Sequence, residues 1–208
     1  MVANYASLIG LSSHQAIART STHHLGAALA DAVLQAGVNY ETVVRMRIER
    51  IQTVYPESFH MDGLKTVLLD DKISDYLLWR HKTKLTRFSH LAALIDQVGV
   101  RDTSDLKDWL HTPRSRTEML SIHGIGPKTY DYISCLVGID RIAVDRHLIH
   151  FMNLSGVSAK DYDTVQKITS FAADLLGVRR RDFDASIWRF VSTGKRPQNI
   201  IRQLDLPL

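Results

Sequence analysis

With 208 residues, 45% of them hydrophobic, the chain is long enough to bury one large core or two small ones. A net charge of +4 and an isoelectric point near 9.2 are mildly basic, which admits a polyanionic partner without requiring one. The single cysteine, Cys135, excludes a disulfide within the chain and a four-cysteine zinc or iron–sulfur centre, and no apolar run approaches the ~20 residues of a membrane span.

In chain order, residues 1–23 lack a clean period and read as loop or irregular helix. Leu25 to Gln35, rich in alanine and leucine, reads as a helix closing near Gly37. Tyr40 to Val54 sets Val43, Val44, Arg47, Ile48 and Ile51 at helical spacing and ends at Pro56. Leu64 to Leu69 and Ile73 to Trp79 are short helices, and Leu85 to Val98 is an amphipathic one ending at Gly99. Asp102 to Leu110 opens on good capping residues and stops before Pro113. Arg116 to Ile122 ends one helix and Thr129 to Val137 forms the next, with Cys135 on its apolar face as a small buried hydrophobe. An apolar run from Leu148 to Leu154, then Tyr162 to Leu176 and Phe183 to Val191, completes the series. No period-two pattern, repeat or low-complexity linker interrupts it, so the expected fold is all-α. The N-terminus carries no charged segment followed by a long apolar one, which points to a soluble intracellular protein, cytoplasmic or nucleoid-associated.

The stretch Ile122-His123-Gly124-Ile125-Gly126-Pro127-Lys128-Thr129 carries the most chemical information. Gly124 and Gly126 admit backbone conformations closed to other residues and remove side chains that would hold a ligand off the main chain. Pro127 suits the first helical position, where its missing N–H costs nothing. The result is a helix, a tight turn and a second helix whose first amides attract a phosphate. Such a turn alone argues for gripping a nucleic-acid backbone, with no sequence or lesion information. Downstream, Ile142-Ala143-Val144 delivers Asp145 beside Arg146 and His147. Asp145 is a natural helix N-cap and also a candidate catalytic carboxylate, and both roles can coexist. Basic residues gather in Arg80-His81-Lys82-Thr83-Lys84, Arg114-Ser115-Arg116, Arg179-Arg180-Arg181 and Lys195-Arg196. A solvated helix surface is the plain reading of any one cluster. Arg114 and Arg116, directly before the turn, are the phosphate candidates.

From about Thr117 to Asn153 the chain resembles the core of the helix-hairpin-helix DNA glycosylase superfamily, the one with a Gly/Pro-rich loop and a catalytic aspartate. In that family a lysine at the position of Lys128 marks bifunctional glycosylase/lyases, and the position of Asp145 holds the essential carboxylate. The Asp-Arg-His form, with Asp184, Trp188 and Thr193-Gly194-Lys195, is most similar to the compact archaeal-type 8-oxoguanine glycosylases. The lack of four cysteines separates it from the iron–sulfur branch resembling endonuclease III. Two departures are His123 where proline is commoner and the segment Arg196 to Leu208, which runs past where those relatives tend to stop.

The resemblance implies a two-lobed helical fold with the helix-hairpin-helix, at about 116–137, at the interlobe cleft. Residues 36–137 would form the central lobe, and residues 1–35 with 138–208 the second. It makes Lys128 and Asp145 catalytic, and it sets His123, Gly124, Gly126, Thr129, Arg114, Arg116, Arg146 and His147 against DNA. The partner would be double-stranded DNA containing a damaged base, met by a monomer. No cofactor or metal is required for the chemistry, and a monovalent cation at the hairpin is the one ion the resemblance allows.

The two residues support that chemistry on their own terms. A lysine amine attacks only when neutral, and the positive end of a helix disfavours another cation. Attack at C1′ gives an imine that acidifies the C2′ proton and permits strand scission by elimination, while a carboxylate stabilises the cationic sugar or moves protons. A base inside a duplex is out of reach, so the target must be turned out of the stack and the gap filled. The turn from Gln35 to Tyr40 nominates Gln35 and Asn39 for that, against plain roles as a cap and a turn. Asp184 is a candidate reader of the base edge or a cap for the helix carrying Trp188. Trp188, Trp79 and Phe151 are candidates for stacking on the base, against a plain role in the core. A monofunctional glycosylase and a non-catalytic DNA-binding protein are the competing readings. The excised base is left open, with 8-oxoguanine first.

Overall fold

The computed structural model describes residues 1–11, 22–69 and 72–193. Among them are twelve α-helices and no strand, so the fold is all-α. They are α1 (Val2–Leu8), α2 (Leu25–Leu34), α3 (Arg45–Val54), α4 (Met61–Leu69), α5 (Ile73–Tyr76) and α6 (Lys82–Gln97). The series continues with α7 (Thr103–Leu110), α8 (Pro113–Leu120), α9 (Pro127–Leu136), α10 (Arg146–Leu154), α11 (Tyr162–Leu175) and α12 (Arg180–Thr193). A π turn, Tyr40–Val44, leads into α3, and a 3-10 turn, Pro56–Phe59, precedes α4. No helix among the described residues is long and apolar enough to cross a membrane.

The chain divides into two compact units. One holds α2 to α9 and ends at Ile139; the other joins α1 to everything described from Asp140 onward. In the first, α2 is the axis. Its alanine- and leucine-rich sequence favours helix, and it is apolar almost all round, so it is stable only when covered on every face. Helices α3, α4, α6 and α9 supply that cover, and every residue of α2 is buried. Gly26 lets the Tyr76 hydroxyl and the Ser58 backbone come so close that a Cβ there would collide with them. The buried Asp31 accepts hydrogen bonds from the Tyr40 and Tyr132 hydroxyls, each at 2.9 Å, which offsets the cost of placing a carboxylate in the core. His24 caps the N-terminus of α2: its Nδ1 accepts from the Ala27 amide (3.2 Å) and its Nε2 donates to the Tyr55 carbonyl (3.2 Å). The second unit is built round Phe151, fully buried, with Tyr5, Phe183 and Phe190 at ring-centroid distances of 5.4, 6.3 and 6.0 Å.

Several expectations are corrected. Helix α2, expected in the lobe formed by the terminal segments, belongs with the middle of the chain, because α3, the 3-10 turn, α4, α6 and α9 pack against it. The division therefore falls before α2 and after Ile139 rather than at 35/36 and 137/138. Residues 2–8 form a regular helix, driven by burial of Val2, Ala3 and Ala6. Phe151 is core and not a stacking surface. Cys135 is half-buried rather than enclosed. Helix α8 starts at Pro113, whose fixed φ suits the first helical position, earlier than its apolar residues indicate. From Gly194 onward, the Thr193-Gly194-Lys195 stretch, the Lys195-Arg196 cluster and the segment Arg196 to Leu208 lie outside the described residues, as do residues 12–21 of the N-terminal stretch.

Candidate functional site

The expected residues fall into two groups, one in each unit, and each is described by itself. In the unit holding α2 to α9, residues 121–126 connect α8 to α9. Ile122 and Ile125 are buried, and the Ile125 amide donates to the Ile122 carbonyl at 2.9 Å, so the turn is anchored by its apolar side chains while His123 and Gly124 stay exposed. Gly124 has φ +84°, the left-handed region that favours glycine. Gly126 differs from expectation: φ −108° and ψ 179° are extended backbone open to any residue, and a Cβ there meets nothing within 4 Å. Its freedom is steric access from outside, not backbone geometry.

Gly126 is the N-cap of α9 and offers no capping side chain; Pro127 follows at the first helical position. The first intrahelical bond runs from the Tyr130 amide to the Gly126 carbonyl (3.2 Å), which leaves the Lys128 and Thr129 amides without an intrahelical acceptor. Tyr130 fixes this end of α9 through its hydroxyl, which donates to the Leu110 carbonyl (2.9 Å) and lies 3.0 Å from Ser115 Oγ. The Thr129 side chain turns inward at 7% exposure, so only its amide is available at the helix start. Arg114 is exposed on α8 with Nε 3.9 Å from Glu118, and Arg116 is half-buried on the same helix.

Lys128 is half-buried, and its Nζ donates to Gln35 Oε1 at 3.0 Å. Two residues nominated separately in the sequence thus meet. Gln35 follows the last turn of α2, and its Nε2 is buried with no hydrogen-bond partner. A neutral amide, not a carboxylate, holds the lysine. Asn39 is not part of this contact: its Oδ1 accepts from the Thr42 amide (3.1 Å) and caps the π turn.

Three cations beside this group escaped sequence reading. Lys84 Nζ donates to the Leu34 (2.6 Å) and Ala36 (2.8 Å) carbonyls on either side of Gln35 and lies 4.5 Å from the Trp79 ring centroid. Burial, then the neighbouring Arg87 and Arg47 charges, lowers its ammonium to about 8. Arg47 lies over the same Trp79 ring, 5.3 Å from its centroid, and Arg87 Nε donates to the His123 carbonyl at 3.3 Å. Lys84 was visible only as one member of a basic run, Arg47 only as one position of a helical period, and Arg87 was not singled out. The His123 carbonyl already accepts from Arg87, the Ile122 carbonyl from Ile125, and the Arg87 guanidinium stands where a Cβ on Gly124 would be.

In the other unit Asp145 is the N-cap of α10. Its Oδ1 accepts from the His147 (2.8 Å) and Leu148 (3.0 Å) amides, and its Oδ2 accepts from His147 Nδ1 (3.0 Å). The carboxylate and the imidazole are about four-fifths covered, with side-chain exposures of 17% and 20%. The His147 ring meets Trp188 edge-on at 6.1 Å, and Trp188, on α12, is 36% exposed. Arg146 is exposed. Asp184 lies inside α12 and is not its cap; its Oδ2 accepts from the Ala143 amide at 3.1 Å and so ties α12 to the segment leading into Asp145. The order Asp184, Ala143, Asp145, His147, Trp188 is a chain of local contacts within one unit. Chemically, one group offers an amine and unpaired amides, and the other an oriented carboxylate–imidazole pair beside an aromatic ring. Among the described residues no cluster of histidine, cysteine and acidic side chains suits a metal ion.

No curated protein and no solved structure matches the chain. A family model described as Domain of unknown function (DUF8548) matches residues 1–192, almost the full sequence, and the chain belongs to that family.

Proposed function

We propose that the protein is a DNA-repair glycosylase with AP lyase activity, acting as a monomer on double-stranded DNA that contains a damaged base, with 8-oxoguanine the first candidate. The observation that carries the reading is the half-buried Lys128 amine, at the uncapped start of α9, held at 3.0 Å by the neutral Gln35 amide. The two unpaired amides beside it suit a backbone phosphate, and the turn before them suits close approach of a strand. Gln35 Nε2, a buried donor without a partner, suits an acceptor on an extruded base.

In this reading the free amine of Lys128 attacks C1′ as the glycosidic bond breaks, and the base leaves with the bonding electron pair and a proton. The sugar ring opens to an imine; loss of the C2′ proton then expels the 3′ phosphate by elimination. Asp145 stabilises positive charge on the sugar, with His147 orienting its second oxygen. A second reading has one observation in its favour: both Asp145 oxygens are already engaged in capping α10 and holding His147. A non-catalytic DNA-binding protein needs no more of Asp145 than that.

Borohydride trapping separates the readings. The enzyme is captured covalently on a duplex carrying its lesion or an abasic site, and Lys128→Gln abolishes both capture and strand cleavage while duplex binding survives. Undiminished cleavage by that variant sinks the lyase assignment, and base release without capture identifies a monofunctional glycosylase. A panel of duplexes with different lesions identifies the base.

A further inference from the structure

In the unit holding α2 to α9, Arg47 on α3 and Lys84 on α6 share the Trp79 ring, at 5.3 and 4.5 Å from its centroid, and Arg87 follows Lys84 about one turn along α6. Their hydrogen bonds all run to backbone carbonyls. Arg47 donates from Nε to Leu78 (3.2 Å) and from Nη1 to Val43, Lys84 donates to Leu34 and Ala36, and Arg87 donates to His123. None of the three pairs with a carboxylate among the described residues. Other cations do pair with an acid: Arg45 with Glu41, Arg50 with Asp75, Lys65 with Asp96, Arg101 with Asp62 and Arg180 with Asp174.

Capping carbonyls accounts for each hydrogen bond taken singly: Lys84 satisfies the end of α2, and Arg87 braces the turn at His123. It does not account for two arginines gathered about Lys84 without one acid. The start of α6 adds to the excess, having no capping side chain and no acidic residue in its first turn, with Arg80 and Lys82 exposed beside it. Two of the cations are also pinned on Trp79, so they are held in place rather than free to spread into solvent. Arg87 makes the patch continuous with the turn at Gly124.

We propose that Arg47, Lys84 and Arg87 form a second phosphate-binding site, which takes a phosphodiester of the same nucleic-acid strand gripped by the turn before α9. The proposal rests on the reading of this protein as a DNA-binding one. It makes the grip bipartite: neutral amides at the helix start take one phosphate, and a cationic cluster takes another.

The test is the salt dependence of duplex binding by the full chain, measured by fluorescence anisotropy on an undamaged duplex. Arg47→Gln makes the plot of log K against log salt concentration shallower by about one unit, as loss of one phosphate contact requires. Arg101→Gln, which removes an exposed arginine paired with Asp62, leaves the slope unchanged. Circular dichroism checks that both variants are folded; if Arg47→Gln unfolds, Arg47→Lys combined with Arg87→Lys keeps the charge and preserves the slope, whereas Arg87→Gln reduces it. An unchanged slope in folded Arg47→Gln, an equal loss in Arg101→Gln, or absence of duplex binding by the wild type overturns the proposal. Borohydride trapping on the same preparations reads the enzyme assignment separately, since a protein that binds with the expected slopes but is never captured keeps this site and loses the lyase.

Discussion

Adding one methyl group at each glycine of the 121–126 turn separates backbone geometry from access. At Gly124, φ +84° puts an alanine in the left-handed region, at a cost of about 1–2 kcal/mol. The new Cβ also displaces the Arg87 guanidinium from the His123 carbonyl, a long and exposed hydrogen bond worth about 0.5 kcal/mol, the low end for such bonds. Gly124→Ala should therefore lose about 1.5–2.5 kcal/mol. At Gly126 the backbone is extended and the space open. Alanine is a poorer N-cap than glycine by about 0.5 kcal/mol, which the smaller entropy of the unfolded chain, about 0.4–1 kcal/mol, offsets. Urea unfolding followed by tryptophan fluorescence, with m held common, should show a clear shift for Gly124→Ala and almost none for Gly126→Ala. Gly126→Ala then becomes a folded probe of access. It should weaken binding to damaged and undamaged duplexes by similar factors at one fixed salt concentration, because a phosphate carries no base information. Equal destabilisation by the two alanines refutes the backbone assignment. A binding loss confined to the damaged duplex refutes the division between backbone grip and base reading.

Asp145→Asn retains an oxygen for the His147 and Leu148 amides, so stability should hold while base excision falls by orders of magnitude; Asp145→Ala should in addition lose about 1 kcal/mol of capping energy. Thermal melts and single-turnover excision assays distinguish the two, and a fully active Asp145→Asn would reduce the residue to a cap. Burial holds the His24 imidazole below its ordinary value, so the folded state prefers the neutral ring whose Nδ1 accepts from Ala27. That contribution is complete above the unfolded value of about 6.5 and is lost as pH falls below it, so the urea midpoint should drop between pH 7 and pH 5.5. His24→Asn, which keeps an accepting cap and does not titrate, should flatten the drop.

The helices with strong periods, such as α7 and α11, were legible because their apolar faces and caps lie in adjacent residues. Helix α1 was not, since seven residues with small buried side chains leave little period to read. The placement of α2 was also beyond reach: a helix apolar all round declares that it is buried, without declaring by what. At the site, the turn, the N-cap role of Asp145 and the first-turn position of Lys128 could be read from spacing alone. The contact of Lys128 with Gln35 could be nominated only from each end, and the convergence of Arg47, Lys84 and Arg87 not at all. Those juxtapositions depend on how α2, α3 and α6 pack, which no local pattern encodes.

The Lys128–Gln35 contact spans 93 residues of chain. Closing so long a loop comes late, after the nearer helices have found one another, because the entropy of the intervening chain must first be spent. An incompletely folded molecule therefore carries a solvated Lys128 without its Gln35 contact. If the proposed lyase chemistry holds, borohydride capture would then also serve as a report on completed folding.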